Sequence, residues 1–201
     1  MKMTRFALCV LMLSLTACSM FGPVQTPDDH RYLINAMPAS FKQVKHTPAI
    51  LLVTQPDTAA VYNTTNMAYT VKPYQVSFYS QNQWAATPSQ MVLPLLAQSL
   101  EKTGAFRAVV VSPYIGKTDY TINTQIIKMQ QNYLNAKAGF FELVMQVEIV
   151  RSSTGTSIAT RQFSIKEPIG QASPYNGVVA GNTAMAKILM QVCHFAMTAL
   201  N

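Results

Sequence analysis

The sequence predicts an α+β fold: a single domain with a mixed, mostly antiparallel sheet of about 5–7 strands and two helices packed on one face. Three observations predict it. Several segments alternate apolar and polar residues with the period of a half-buried strand. Two segments instead repeat their apolar residues at helical spacing, and their order along the chain is strands, helix, about four more strands, helix.

HRYLINA (30–36) reads as a short first strand with Tyr32 and Ile34 on one face. AILLVTQP (49–56) is unbroken and apolar, which predicts a central strand buried on both faces. NMAYTVKPYQVSFYSQNQW (66–84) reads as two extended pieces around Lys72 and Pro73. Tyr74, Val76 and Phe78 alternate there with Gln75, Ser77 and Tyr79, which is the period of a strand with one buried face. Proline cannot donate to an interior ladder, so this pair belongs near a sheet edge.

The first helix carries its own start and stop signals. Thr87 suits the N-cap, Pro88 the first helical position, and Gln90 completes a Thr-x-x-Gln capping box. Met91, Leu95, Leu96 and Leu100 form the stripe, and Gly104 ends the helix. Pro94 lies inside it and removes one hydrogen bond to the preceding turn, so a kink is expected.

AFRAVVVS (105–112) is a β-branched strand, and DYTINTQIIKMQQNY (119–133) another. In the latter the apolar phase slips from Ile126 to Ile127 and Met129, the signature of a bulge. FFELVMQVEIV (140–150) and SIATRQFSIK (157–166) flank the turn residues SSTG and form a hairpin. Phe141, Leu143, Met145, Val147 and Ile149 share its buried face; Glu142, Gln146 and Glu148 lie opposite. The closing helix runs from about Tyr175 to Leu200, with Met185, Leu189, Val192 and Ala196 in line and Ile188, Phe195 and Ala199 beside them. Lys187 is its one acid or base of fixed charge, so protein is expected nearly all round it. No internal repeat is evident.

The N-terminus reads differently. Lys2 and Arg5 precede an apolar run, Phe6 to Leu15, too short to cross a bilayer core of about 30 Å as a stable helix. Leu-Thr-Ala-Cys (15–18) resembles a bacterial lipobox, in which small residues admit the peptidase and the cysteine thiol accepts a diacylglycerol. Residues 1–17 are then a signal peptide, Cys18 is the lipidated N-terminus, 18–29 a flexible tether rich in Pro, Gly and polar residues, and 30–201 the folded domain. Ser at 19 in place of Asp suggests export to the outer membrane.

Composition bounds the function. Lys and Arg number 15 and Asp and Glu 8; losing Lys2 and Arg5 takes the formal charge from +7 to +5. No basic run or basic stripe interleaved with aromatics occurs, so nucleic acid is not an expected partner. Of the three cysteines, Cys9 leaves with the signal, Cys18 is acylated, and Cys193 in an apolar helical run reads as a buried thiol without a disulfide partner.

Catalytic chemistry is not evident. Glu142 and Glu148 are six residues apart on one strand face, about 20 Å at strand rise, too far for a carboxylate pair and expected to be solvated. His30, His46 and His194 lack metal-ligand spacing. Cys193 and His194 are adjacent helical residues pointing about 100° apart. No phosphate-binding or nucleophile-elbow motif occurs, so no enzyme and no cofactor are expected. What stands out is aromatic: Tyr69, Tyr74, Phe78, Tyr79 and Trp84 fall within sixteen residues. Tyr74, Phe78, Tyr79 and Trp84 are the candidate interface, a protein- or lipid-contacting edge, beside the alternative of core and ordinary strand aromatics.

These features resemble the ABC-type transport auxiliary lipoprotein family. The likeness rests on LTAC, the early Tyr32–Leu33 strand, ILLV before Pro56, the passage YQVSFYSQNQWAATPSQMVLPLLAQSL, and the closing apolar helix. Pro94 and the charge-poor last helix depart from the pattern. The resemblance implies a non-catalytic outer-membrane lipoprotein, facing the periplasm. It would form a homo-oligomeric docking ring beside an MCE-domain protein and an ABC transporter's permease and ATPase, moving lipids or other hydrophobic compounds between membranes. An envelope-assembly or secretion-system lipoprotein, or a lipid-binding lipoprotein with its own cavity, are the other readings.

Overall fold

The computed structural model describes residues 29–41, 46–135 and 138–200. The expected signal peptide, the expected lipidated Cys18 and most of the expected tether, residues 1–28, lie outside the described residues. In chain order the elements are β1 (His30–Tyr32), β2 (Thr47–Val53), β3 (Asp57–Thr58), a 3-10 turn (Ala60–Tyr62), β4 (Asn66–Thr70), β5 (Ser77–Trp84), α1 (Pro88–Lys102), β6 (Phe106–Val111), β7 (Tyr120–Asn135), β8 (Ala138–Arg151), β9 (Thr156–Ile169) and α2 (Pro174–Ala199).

Strand β7, sixteen residues long, is the spine of the sheet. Along one edge it pairs in succession with β2, β3 and β4, all parallel to it. Its other edge pairs antiparallel with β8, and β8 with β9. Beyond β2 lies β6, and beyond β4 lie β5 and then β1. The α+β class therefore holds, but the sheet has nine strands rather than 5–7 and is mixed and mostly parallel, not mostly antiparallel. Five of the eight strand pairings are parallel. The reason is the connections. Strands joined by a tight turn (β4–β5, β7–β8, β8–β9) run antiparallel, while strands paired across long stretches of chain run parallel. Turn residues reveal the first kind of pairing and leave no mark of the second.

Both helices pack into one core, against Leu51, Val53, Ile122, Ile126, Phe141, Leu143 and Met145. Helix α1 begins as its residues require: the Thr87 N–H and hydroxyl both donate to Gln90 Oε1, at 3.1 and 3.0 Å. It buries Met91, Val92, Leu95, Leu96 and Leu100, and Gly104 takes φ +63° just past its end. The helix runs through Pro94, whose ring is exposed on the outer side. Helix α2 buries Met185, Ile188, Leu189, Val192, Cys193 and Ala196 completely. A solvent-facing stripe of Tyr175, Val179, Thr183, Lys187 and His194 remains, so α2 is covered on one broad face and not nearly all round.

Because the helices share one face, much of the other face is left to solvent, though Glu142 and Val144 are buried on it. Two expectations are corrected. In β2, Leu51 and Val53 are fully buried but Ile50 and Leu52 only half, so this central strand is dry on one side alone. The strand opening at His30 stops at Tyr32, and the next residues are tied to α2 instead: the Asn35 and Ala36 N–H groups donate to Asn182 Oδ1, and Asn182 Nδ2 donates to the Leu33 carbonyl. Val76, just before β5, and Phe78 within it are exposed, while Tyr79 is half-buried. The β7 bulge falls where the phase slip places it, between Ile126 and Lys128, and the β8–β9 hairpin turns through SSTG with Gly155 at φ +67°.

Candidate interaction surface

The four candidate interface residues separate. Trp84 is 2 % exposed and meets Phe141 edge-on, ring centroids 6.4 Å apart; it is a core residue and not part of a contact face. Tyr79 is half-buried, its ring 4.5 Å from that of Tyr69. Both Tyr79 and Trp84 turn inward although five residues separate them, because the β4–β5 ladder slips between Asn66–Gln83 and Ala68–Phe78. Phe78 and Tyr74 do reach solvent, at 41 % and 109 % exposure.

Tyr79 belongs to a buried polar hub that periodicity does not single out. Its hydroxyl donates to Gln131 Oε1 at 2.9 Å, and the Tyr133 hydroxyl donates to the same oxygen at 2.7 Å. Gln131 Nε2 donates to the Pro174 carbonyl at 3.2 Å, tying β7 to the start of α2. Gly177 makes this approach possible, since a Cβ there would lie 2.0 Å from Gln131 Cδ. Burial pushes the Tyr79 and Tyr133 phenols above their usual range; for Tyr79 the bond to Tyr133 adds to it.

On the open face, an exposed apolar group surrounds the β4–β5 turn: Val71, Tyr74, Val76, Phe78 and, from the end of β7, Leu134. Thr70 and Asn132 are paired in register, so the end of β4 and the end of β7 lie side by side. Tyr74 holds φ at +65°, a left-handed conformation costing a non-glycine residue about 1–2 kcal/mol, while its whole ring stands in solvent. Behind the turn runs an open groove of about 330 Å³, with Tyr62, Thr70, Gln130 and Asn132 among its walls and Lys128 at its side. The Tyr62 hydroxyl donates to Gln130 Oε1 at 2.7 Å, and the Thr70 hydroxyl bonds the Lys72 and Gln75 carbonyls, clamping the turn. Burial, with Glu142 nearby, raises the Tyr62 phenol.

Glu142 departs from its expected solvated setting. It is 8 % exposed and lies between Lys128 at 3.3 Å and Lys166 at 3.8 Å. Glu148 stands apart from it, with Asn123 Nδ2 at 3.4 Å. Cys193 is buried and its thiol pushed up to about 12 by desolvation, whereas His194 faces solvent; the two do not form a dyad. Among the described residues no group of three or more His, Cys, Asp or Glu could hold a metal ion, and no helix is long and apolar enough to cross a membrane. The hub residue Gln131 and the exposed Leu134 escaped sequence reasoning. The only trace was polar residues continuing through a strand just past its bulge.

The match to the family described as ABC-type transport auxiliary lipoprotein component spans residues 32–193, from β1 into α2. The chain belongs to that family. A Xanthomonas campestris protein of the DUF330 family has a similar fold, with a TM-score of 0.78, 15 % identity, and coverage of 84 % of this chain and 94 % of that one. A protein titled only as uncharacterized gives 0.66 at 15 % identity, covering 84 % and 99 %. A hypothetical protein of Chlamydia trachomatis gives 0.52 at 5 % identity, covering 77 % and 98 %. At such identities the likeness is one of fold. Comparison with the curated proteins gives no match.

Proposed function

We propose that this family member is a non-catalytic platform, anchored through acylated Cys18 to the periplasmic face of the outer membrane. It would serve an ABC/MCE-type system that moves lipids or other hydrophobic compounds between the two membranes, as a homo-oligomer. Family membership and the Leu-Thr-Ala-Cys motif support the anchor and the transport role. The observation that carries the platform reading is the uncovered outer face of β5. Phe78 remains exposed there, with Val76 just before the strand, while the helices seal the opposite face. Exposed aromatic and apolar residues gathered in one place mark contact surfaces. Among the described residues, Glu142 and Glu167 are held in ion pairs, and no group of three or more His, Cys, Asp or Glu could hold a metal.

The test is recovery of partners from envelope membranes. Wild-type lipoprotein should bring down an MCE-domain protein with ABC permease and ATPase components. Phe78→Asp should bring down several-fold less without a change in melting temperature, and Cys18→Ser should lose membrane attachment. Recovery of secretion or pilus components alone would overturn the transport role. Unchanged recovery by Phe78→Asp would remove β5 from the interface.

A further inference from the structure

We infer that the sheet end formed by the β4–β5 turn and the end of β7 rests in the headgroup region of the lipid bilayer that holds the anchor. The inference deepens the proposed function and rests on its reading of Cys18 as the anchored residue.

Three observations converge on that end of the molecule. Strand β1 is parallel to β5, with His30 opposite Asn82 and Tyr32 opposite Trp84. Its start therefore points toward Ser77 and the β4–β5 turn, so the chain enters the domain from the side that carries Tyr74. Eleven residues, 19–29, join the anchor to that point; fully extended they reach about 40 Å, which caps how far the domain can stand from its membrane. The second observation is what this end exposes. Val71 is 47 % exposed, Leu134 45 % and Tyr74 109 %, all at the turn and strand ends of this side. A tyrosine in solvent, held there by a left-handed backbone, has the amphipathic ring favoured at membrane–water interfaces. The third is charge. The turn itself, residues 71–76 (VKPYQV), carries Lys72 and no acid, and Lys128 flanks the groove behind it, as a surface facing anionic headgroups requires. At the opposite end, near Ser152–Gly155, Tyr114 and Ile115 are also exposed, but the chain does not enter the domain there.

The test uses the full lipidated protein reconstituted into phosphatidylethanolamine–phosphatidylglycerol vesicles that carry a nitroxide-labelled lipid. Trp84 is the chain's one tryptophan and is buried, so it supplies a constant background. A Tyr74→Trp variant should emit at shorter wavelength in vesicles than in detergent-free buffer, and should be quenched several-fold more than a Thr154→Trp variant at the opposite end. Equal, weak quenching at both positions in protein that co-floats with the vesicles overturns the inference and leaves the anchor reading standing. Protein that does not co-float overturns both. A blue shift at Tyr74→Trp without quenching, with particle size growing with protein concentration, would seat a second copy there and also overturn it.

Discussion

Gln131 is an amide whose side chain is almost wholly out of water, and it is kept there by three partners and one missing methyl group. Gly177→Ala would drive a Cβ into that amide, and the expected loss is about 1–3 kcal/mol of stability, read by urea unfolding. The buried phenols and the Cys193 thiol have a pH consequence. Their folded values lie above the unfolded ones, 10.0 for tyrosine and 9.0 for cysteine, so their contribution is complete below about pH 9. Above that the unfolded chain releases protons that the folded chain retains, and stability falls as pH rises. Tyr79→Phe should make this alkaline fall shallower, measured as unfolding midpoint against pH. Cys193, raised to about 12, should resist a thiol reagent at pH 8 in the native protein and react at once in denaturant. The buried thiol was legible from its helical run. Trp84 was not: a tryptophan among strand aromatics looks the same in sequence whether it faces lipid or core.

Helix α1 was legible from end to end, since Thr87, Pro88, Gln90 and Gly104 act within one turn of themselves and need no tertiary partner. Thr87→Ala should therefore cost about 1 kcal/mol, as the loss of a cap does. Pro94 withholds one backbone donor yet its ring is exposed, so no packing compensates it; Pro94→Ala should raise the melting temperature. The β7 bulge and the β8–β9 hairpin were readable for the same reason, as local phase and local turn chemistry. Which face of β5 is buried was not legible: the slip between Asn66–Gln83 and Ala68–Phe78 lets both Tyr79 and Trp84 turn inward. An alternation counted back from Trp84 would instead put Phe78 on the buried side.

At the scale of the whole molecule, the two helices seal one face of a nine-stranded sheet and leave the other to contact solvent or partners. The family match runs across nearly this whole unit, from within β1 into α2. The partner and bilayer experiments divide that surface into the outer face of β5, at Phe78, and the sheet end, at Tyr74. Substitution at one should leave the readout of the other unchanged, since Phe78 is in the strand and Tyr74 in the turn beyond it.

The sequence by itself determined the α+β class, both helices with their ends, most of the longer strands, the hydrophobic faces of β7 and β8, and the family. All of these follow from interactions between residues close along the chain or from hydrophobic period. Only the tertiary structure decided which strands pair in parallel, that Glu142 is enclosed by Lys128 and Lys166, that Gln131 is a hub, and that Trp84 is inside while Tyr74 and Phe78 are outside. Those outcomes depend on which distant segment covers a given face, and a side chain carries no record of the neighbour that the chain will bring to it.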